Sequence, residues 1–188
     1  MEQQYKNNLL EFDMEKLEWK EIFATGKVPD MRVTGSFCSL QDRYLFLYGG
    51  WNARIQKYFG DLWRFDLHKF CWDLLIDEEE SNLDPINANS LLAIGDRYLV
   101  SFFGKNRSSR KKSTHFVDLS LLNPSSGSKS TNWKSIKTLE TISSRTVVAH
   151  AFFDSSIYVF GGFSDEKFDS SLGEFFLFFI CFHLFFKF

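Results

Sequence analysis

Four histidines, three cysteines and scattered carboxylates are the residues of this 188-residue chain best able to do chemistry. A metal centre needs imidazole, thiolate or carboxylate ligands at short, defined spacings. His68, His115, His150 and His183 stand apart from one another, and none has a second ligand at such a spacing. Cys38, Cys71 and Cys181 are odd in number and contain no Cys-x-x-Cys step. That pattern speaks against a disulfide framework and a zinc site, and fits a reducing compartment. Cys38 and Cys71 fall in apolar strand patterns, where cysteine acts as a small buried residue. There is no glycine-rich phosphate loop, nucleophile elbow or paired-carboxylate motif. The expectation is therefore no catalytic residue, no metal and no cofactor, and a protein that is not an enzyme.

Two polar loops are better candidates for function. Lys105-Asn106-Arg107-Ser108-Ser109-Arg110-Lys111-Lys112 places five basic residues in eight. Such a run is either a solvated loop or a contact for an acidic partner, a phosphate group or RNA. No aromatic residue is interleaved with the charges, which weakens the nucleic-acid reading. The segment Trp51–Gly60 carries Trp51, Arg54 and Tyr58, residue types that anchor protein interfaces when exposed. Trp51 and Tyr58 can equally tuck back onto their own sheet. The acidic run Asp77-Glu78-Glu79-Glu80 reads as a solvated linker. Net charge is −2, so no global field draws the chain to nucleic acid or membrane.

The elements that hold these loops repeat. Tyr44-Leu45-Phe46-Leu47-Tyr48-Gly49-Gly50 and Ile157-Tyr158-Val159-Phe160-Gly161-Gly162 are apolar strand runs closed by a glycine pair, 112 residues apart (162 minus 50). Near the midpoint, Tyr98-Leu99-Val100-Ser101-Phe102-Phe103-Gly104 is the same run with one glycine lost. Asp61-Leu62-Trp63-Arg64-Phe65-Asp66 followed by Trp72 is echoed by Ser113–Asp118 followed by Trp133, and by Asn8–Asp13 followed by Trp19. A unit of about 55 residues made of short strands predicts stacked four-stranded sheets. Aromatic content of 18%, with 23 phenylalanines, suits sheets packed face to face through large rings.

This pattern resembles the kelch repeat, over roughly Asn8 to Phe163. The unit from Arg32 to Trp72 carries the full set: Arg32, Gly35, Gly49, Gly50, Asp61, Trp63, Phe65, Asp66 and Trp72. The next unit keeps Gly104 and Trp133 but lacks the arginine and, on this reading, the second glycine. The following unit keeps Arg145, Gly161 and Gly162, with His150 at the place of Gly35 and a stretched spacing from Arg145. The resemblance implies an all-β fold, a partial kelch-type β-propeller of about three four-stranded blades with ragged ends. It implies structural roles for all these positions, Arg32 bonding backbone carbonyls near the inner end of its blade. The expected segments are 1–22 (outer strands of one blade), 23–80, 81–137 (degenerate), 138–174 (the start of a further blade) and a Phe-rich tail at 175–188.

The function implied is a non-enzymatic protein–protein interaction module. Family roles of this kind include substrate recognition for ubiquitin ligases and scaffolding. Trp51, Arg54 and Tyr58 on one loop, and Arg107, Arg110, Lys111 and Lys112 on the other, are the expected contacts. The alternatives are a basic-loop reader of nucleic acid or a phosphorylated partner, and a membrane-associated protein anchored by its C-terminal phenylalanines. The expected partner is a protein, with no small-molecule substrate, and with self-association if the propeller is unclosed. Residues 1–8 lack the apolar core of a signal peptide, so the expected location is cytoplasmic and the sequon at Asn106 unused. The tail Phe175–Phe188 has three readings: a membrane segment, a buried final strand over its first half, or a truncated or intron-derived reading frame.

Overall fold

A computed structural model describes residues 6–111, 113–122, 132–137 and 143–164, with the strand 177–180. The described strands are all paired antiparallel. β1 (Leu9–Asp13) and β2 (Glu18–Ile22) form a hairpin. β3 (Ser36–Leu40), β4 (Tyr44–Tyr48), β7 (Leu62–Asp66) and β8 (Cys71–Ile76) form a four-stranded sheet in chain order. A short hairpin, β5 (Trp51–Asn52) and β6 (Lys57–Tyr58), is inserted between β4 and β7. β9 (Ser90–Ile94), β10 (Tyr98–Phe102), β11 (Thr114–Asp118) and β12 (Lys134–Ile136) repeat the four-stranded sheet. β13 (Ala149–Phe153), β14 (Ser156–Phe160) and β15 (Leu177–Ile180) form three strands of a further one. The fold is all-β, a set of propeller blades; they are numbered one to four here, from the β1–β2 hairpin onward.

The inner strand β7 is covered on both faces: Leu62, Trp63, Phe65 and Asp66 are buried and Arg64 is half-buried, so it reads as a nearly continuous buried run and not as an alternating one. The first strands of successive blades lie side by side, β3 against β9 and β9 against β13. Between blades two and three, Phe46, Tyr48, Leu62 and Ile76 pack on Leu91, Leu99, Val117 and Trp133. Between blades three and four, Val100, Phe102 and Phe103 pack on Ile157 and Val159. Each core is thus a seam between sheets, not the interior of one.

The expected aromatics fill these seams unevenly. Trp63, Phe65 and Trp133 are buried, and Trp133 lies on the Tyr48 ring at 4.6 Å. Trp72 is half-buried and leans on Phe65 at 5.1 Å. Trp19 is 69% exposed, touching Phe12 at 5.0 Å.

Three backbone bridges fix the repeat register: Val33 with Trp51, Asn87 with Lys105, and Thr146 with Phe163. On that register two sequence expectations change. Gly104 is the second glycine of blade three, at φ +93° like Gly50 at +112° and Gly162 at +97°. The lost glycine is the first one, and Phe103 takes its place at φ +59°. A Cβ at Gly104 would come within 2.7 Å of the Asn89 Cβ, so this second position is sterically closed. The position of Gly35 is occupied in blade four by Val148, whose side chain a Cβ on Gly162 would meet at 2.6 Å. His150 lies two residues further on, inside β13 opposite Val159. The spacing from Arg145 is not stretched.

Blades are stitched by backbone. Thr34, Ala88 and Val147, all left-handed at φ +53°, +49° and +56°, stand at matching places. Ala88 N–H donates to Thr34 O at 2.9 Å, and Val147 N–H to Ala88 O at 3.2 Å. In the other direction Gly50 N–H donates to Ile86 O at 2.8 Å and Gly104 N–H to Arg145 O at 2.9 Å. β15 falls within the Phe-rich tail, beyond the 174/175 boundary drawn above, and pairs with β14. Strand formation over the first half of the tail was one of its three readings. The rest of the tail lies outside the described residues.

Candidate functional site

The β5–β6 hairpin is held by its own polar groups. Asn52 Nδ2 donates to Met31 O at 2.8 Å, and Asn52 Oδ1 accepts from Arg54 N–H at 3.0 Å. Gln56 Nε2 donates to Ala53 O at 2.6 Å, closing the turn. Trp51 and Tyr58 face each other across the hairpin at 6.0 Å and are both half-buried. They tuck back; Arg54 is exposed.

Blade three builds its loop at the same place with different residues. Lys105 pairs with Arg110 as Trp51 pairs with Tyr58. Asn106 Oδ1 accepts from Ser108 N–H at 3.0 Å and Ser109 N–H at 2.9 Å, an Asx turn that shapes the tip. Arg107 is exposed and its Nη2 donates to Gln56 O at 3.2 Å. The two loops singled out by sequence, 54 residues apart in chain register, therefore touch. Between them lies a depression of about 410 Å3 lined by Gln56, Lys57, Tyr58, Asn106, Arg107 and Ser108.

The charges there are mixed. Lys57 pairs with Glu78 at 3.0 Å. Lys111 turns to Asp84 at 3.6 Å, and Asn106 Nδ2 donates to the same carboxylate at 3.0 Å. Lys111 is thus partly withdrawn from the outer surface, and Arg110 is half-buried. Lys112 lies outside the described residues. The loop is an edge with alternating charge, unlike the continuous basic strip that a nucleic-acid backbone needs.

The structural positions gather elsewhere. Arg32 Nη1 donates to Gly49 O at 3.1 Å, the carbonyl contact its family role implies. The same guanidinium holds both Asp61 oxygens, at 2.6 and 3.0 Å, and lies 3.9 Å over the Phe59 ring. Trp63 Nε1 donates to Asp61 Oδ2 at 2.6 Å. Asp61 is thus the centre of a buried network. Arg145 Nη1 repeats the carbonyl contact, to Gly161 O at 3.0 Å.

Two further arginines escaped the sequence reading. Arg43 holds Asp66 at 2.8 Å and Arg97 holds Asp118 at 2.5 Å. These bonds keep both carboxyls at about 2, well below the usual range, with help from His68 N–H and from Ser120. Their signal was present: Asp42-Arg43-Tyr44-Leu45 recurs as Asp96-Arg97-Tyr98-Leu99.

Burial pushes the Cys38 thiol up to about 12, which leaves it unreactive. Burial also lowers the pKa of His115 and His150. Among the described residues, no cluster of histidine, cysteine and carboxylate groups could hold a metal ion. No described helix is long and apolar enough to cross a membrane.

Known proteins share this arrangement. Residues 1–178 match the family model described as the KLHDC2/KLHL20/DRC7 Kelch-repeats domain. Kelch domain-containing protein 3 from Homo sapiens, Mus musculus and Bos taurus is 29% identical over 104 residues, 55% of this chain. The match takes in 26% of each relative, so the chain spans about a quarter of the length of these curated proteins. Kelch repeats generally serve as protein-interaction modules and non-enzymatic scaffolds. With the repeat register, the glycine geometry and a family match over nearly its whole length in agreement, this chain belongs to the kelch-repeat family.

Proposed function

We propose that the protein binds a protein partner through the face formed by the β5–β6 hairpin and the loop 105–110. The observation that carries this reading is the contact of Arg107 with Gln56, which joins two loops of neighbouring blades into one depression. Loops carried by a rigid sheet scaffold are where recognition is placed. Exposed Arg107 lines the depression, exposed Arg54 stands on the same hairpin as Gln56, and arginine is a frequent interface anchor. The protein acts as a recognition scaffold without catalysis, and the free Cys38 and Cys71 fit work in the reducing cytoplasm. Substrate recognition for a ubiquitin ligase is the form of this role that the family suggests.

The test is proximity labelling in cells with the full-length protein and its Arg54→Glu/Arg107→Glu variant, with thermal unfolding of both. The expected outcome is loss of a defined set of labelled proteins, several-fold or more, at unchanged thermal midpoint. Retention of every labelled protein by the variant would remove this face as the contact.

A further inference from the structure

The loop of blade three closes on a pair of residues unlike that of blade two. The bridge of Lys105 with Arg110 stands where Trp51 faces Tyr58. Two rings attract across a hairpin, whereas two cations directly opposite each other repel. Between them Asn106 N–H donates to Ser109 O at 3.0 Å, and Asn106 Oδ1 accepts from the amides of Ser108 and Ser109. The tip 106–109 is therefore closed by bonds within the loop, and unbending it disturbs none of the strands β9 to β12.

Ser109 is the exposed hydroxyl within this ring of charge. Ser108 lines the depression between the loops and Ser109 does not, so Ser109 is reached from the solvent side. Arg107 lies two residues before it, and Arg110 and Lys111 follow directly. Enzymes that phosphorylate serine select it by charge pattern, and cations on both sides suit a substrate groove lined with carboxylates. Of the four described cations of the loop, Arg107 alone is exposed; Lys111 is tied to Asp84 at 3.6 Å. Arg107 is held by one neutral acceptor, Gln56 O, at 3.2 Å. A phosphate two residues away offers three charged oxygens and takes an arginine bidentately, which a carbonyl does not.

We infer that Ser109 is a phosphorylation site for a protein kinase with an acidic substrate groove, and that its phosphate draws Arg107 off Gln56 and releases the two loops from each other. Ser109 Oγ attacks the γ-phosphorus of a nucleoside triphosphate. The Oγ–P bond forms as the bond from that phosphorus to the bridging oxygen breaks, the hydroxyl proton passes to the carboxylate base of the kinase, and the nucleoside diphosphate leaves. The phosphate brings about two negative charges at pH 7, which also offset the like charges of Lys105 and Arg110. This rests on the loop face being the contact surface, and names how that face is switched off.

Two measurements test it. Phosphopeptide mass spectrometry of the full-length protein, isolated from cells treated with a serine phosphatase inhibitor, should find phosphate on Ser109, with several-fold lower occupancy in Arg110→Ala. The full chain carrying phosphoserine at 109, introduced during translation, is then compared with the unmodified chain by hydrogen–deuterium exchange. Segment 53–58 should exchange about two- to ten-fold faster, the factor that loss of one hydrogen bond gives. Arg107→Ala should raise exchange there by the same factor, and phosphoserine should add nothing to it. If no phosphate is found on Ser109, the inference falls. It falls as well if phosphoserine leaves segment 53–58 unchanged, or acts equally in Arg107→Ala. The labelling experiment decides the loop face independently.

Discussion

Phe103 holds a backbone angle of φ +59°, where blades two and four place Gly49 and Gly161 at +70° and +69°. A side chain in that region costs about 1–2 kcal/mol. Its ring is nevertheless 4% exposed and packs edge-on against Phe102 at 5.5 Å. Removing a buried phenylalanine costs about 3–5 kcal/mol, more than the strain it relieves. Phe103→Gly should therefore destabilise the chain by about 2 kcal/mol, read as a lower urea midpoint, although it restores the repeat motif. A gain in stability would mean that strain, not burial, governs the position. The sequence could not show which glycine was lost, because Phe-Gly fits either half of the pair. The bridges of Val33 with Trp51 and of Asn87 with Lys105, which set Gly104 level with Gly50, identify the missing one. His150 was misplaced for a related reason: a small or polar residue after an arginine looks alike at three and at five residues.

Hairpin ends are the next level of organisation. Asp66 and Asp118 each join the last turn of β7 or β11 to an arginine just before β4 or β10. The folded carboxyls sit at about 2, against an ordinary 3.8. As pH falls, the unfolded chain takes up protons first, so this stabilisation is complete above about pH 5 and is lost down to about pH 2. The thermal midpoint of wild type should exceed that of Asp66→Asn/Asp118→Asn at pH 6, and the gap should narrow below about pH 4 and close only toward about pH 2. A gap independent of pH would show that the pairs do not carry the difference. Strand runs, glycine turns and the β7-type pattern were legible because each rests on local periodicity. The clamps were not, since Arg43 and Asp66 lie 23 residues apart and meet only when β4 and β7 pair. The contact of Arg107 with Gln56, 51 residues apart, was hidden for the same reason.

Across the whole molecule, stability is collected at seams. The amides of Gly50, Ala88, Gly104 and Val147 all bond to a neighbouring blade. They should exchange with deuterium only when blades part, and so stand among the slowest in the chain. Amides of β1 and β2, whose side chains are mostly exposed, should exchange faster. Native-state exchange read by mass spectrometry checks both. Equal protection throughout would mean that the seams open no later than the outer hairpin. The repeat of four-stranded sheets was legible because the glycine-closed strand runs recur at a nearly fixed period.

Among the described residues, the seams between blades two and three and between blades three and four use the same two connectors. One blade offers a carbonyl at Thr34 or Ala88 and an amide at Gly50 or Gly104; the next answers with an amide at Ala88 or Val147 and a carbonyl at Ile86 or Arg145. Both connectors are main-chain atoms, indifferent to the side chains around them. A gene duplication that inserted one further unit would therefore meet matching connectors on both sides, and no backbone bond would be left open. Individual copies are then free to lose an arginine or a glycine, as blade three has, and to drift toward new surfaces while the seam holds.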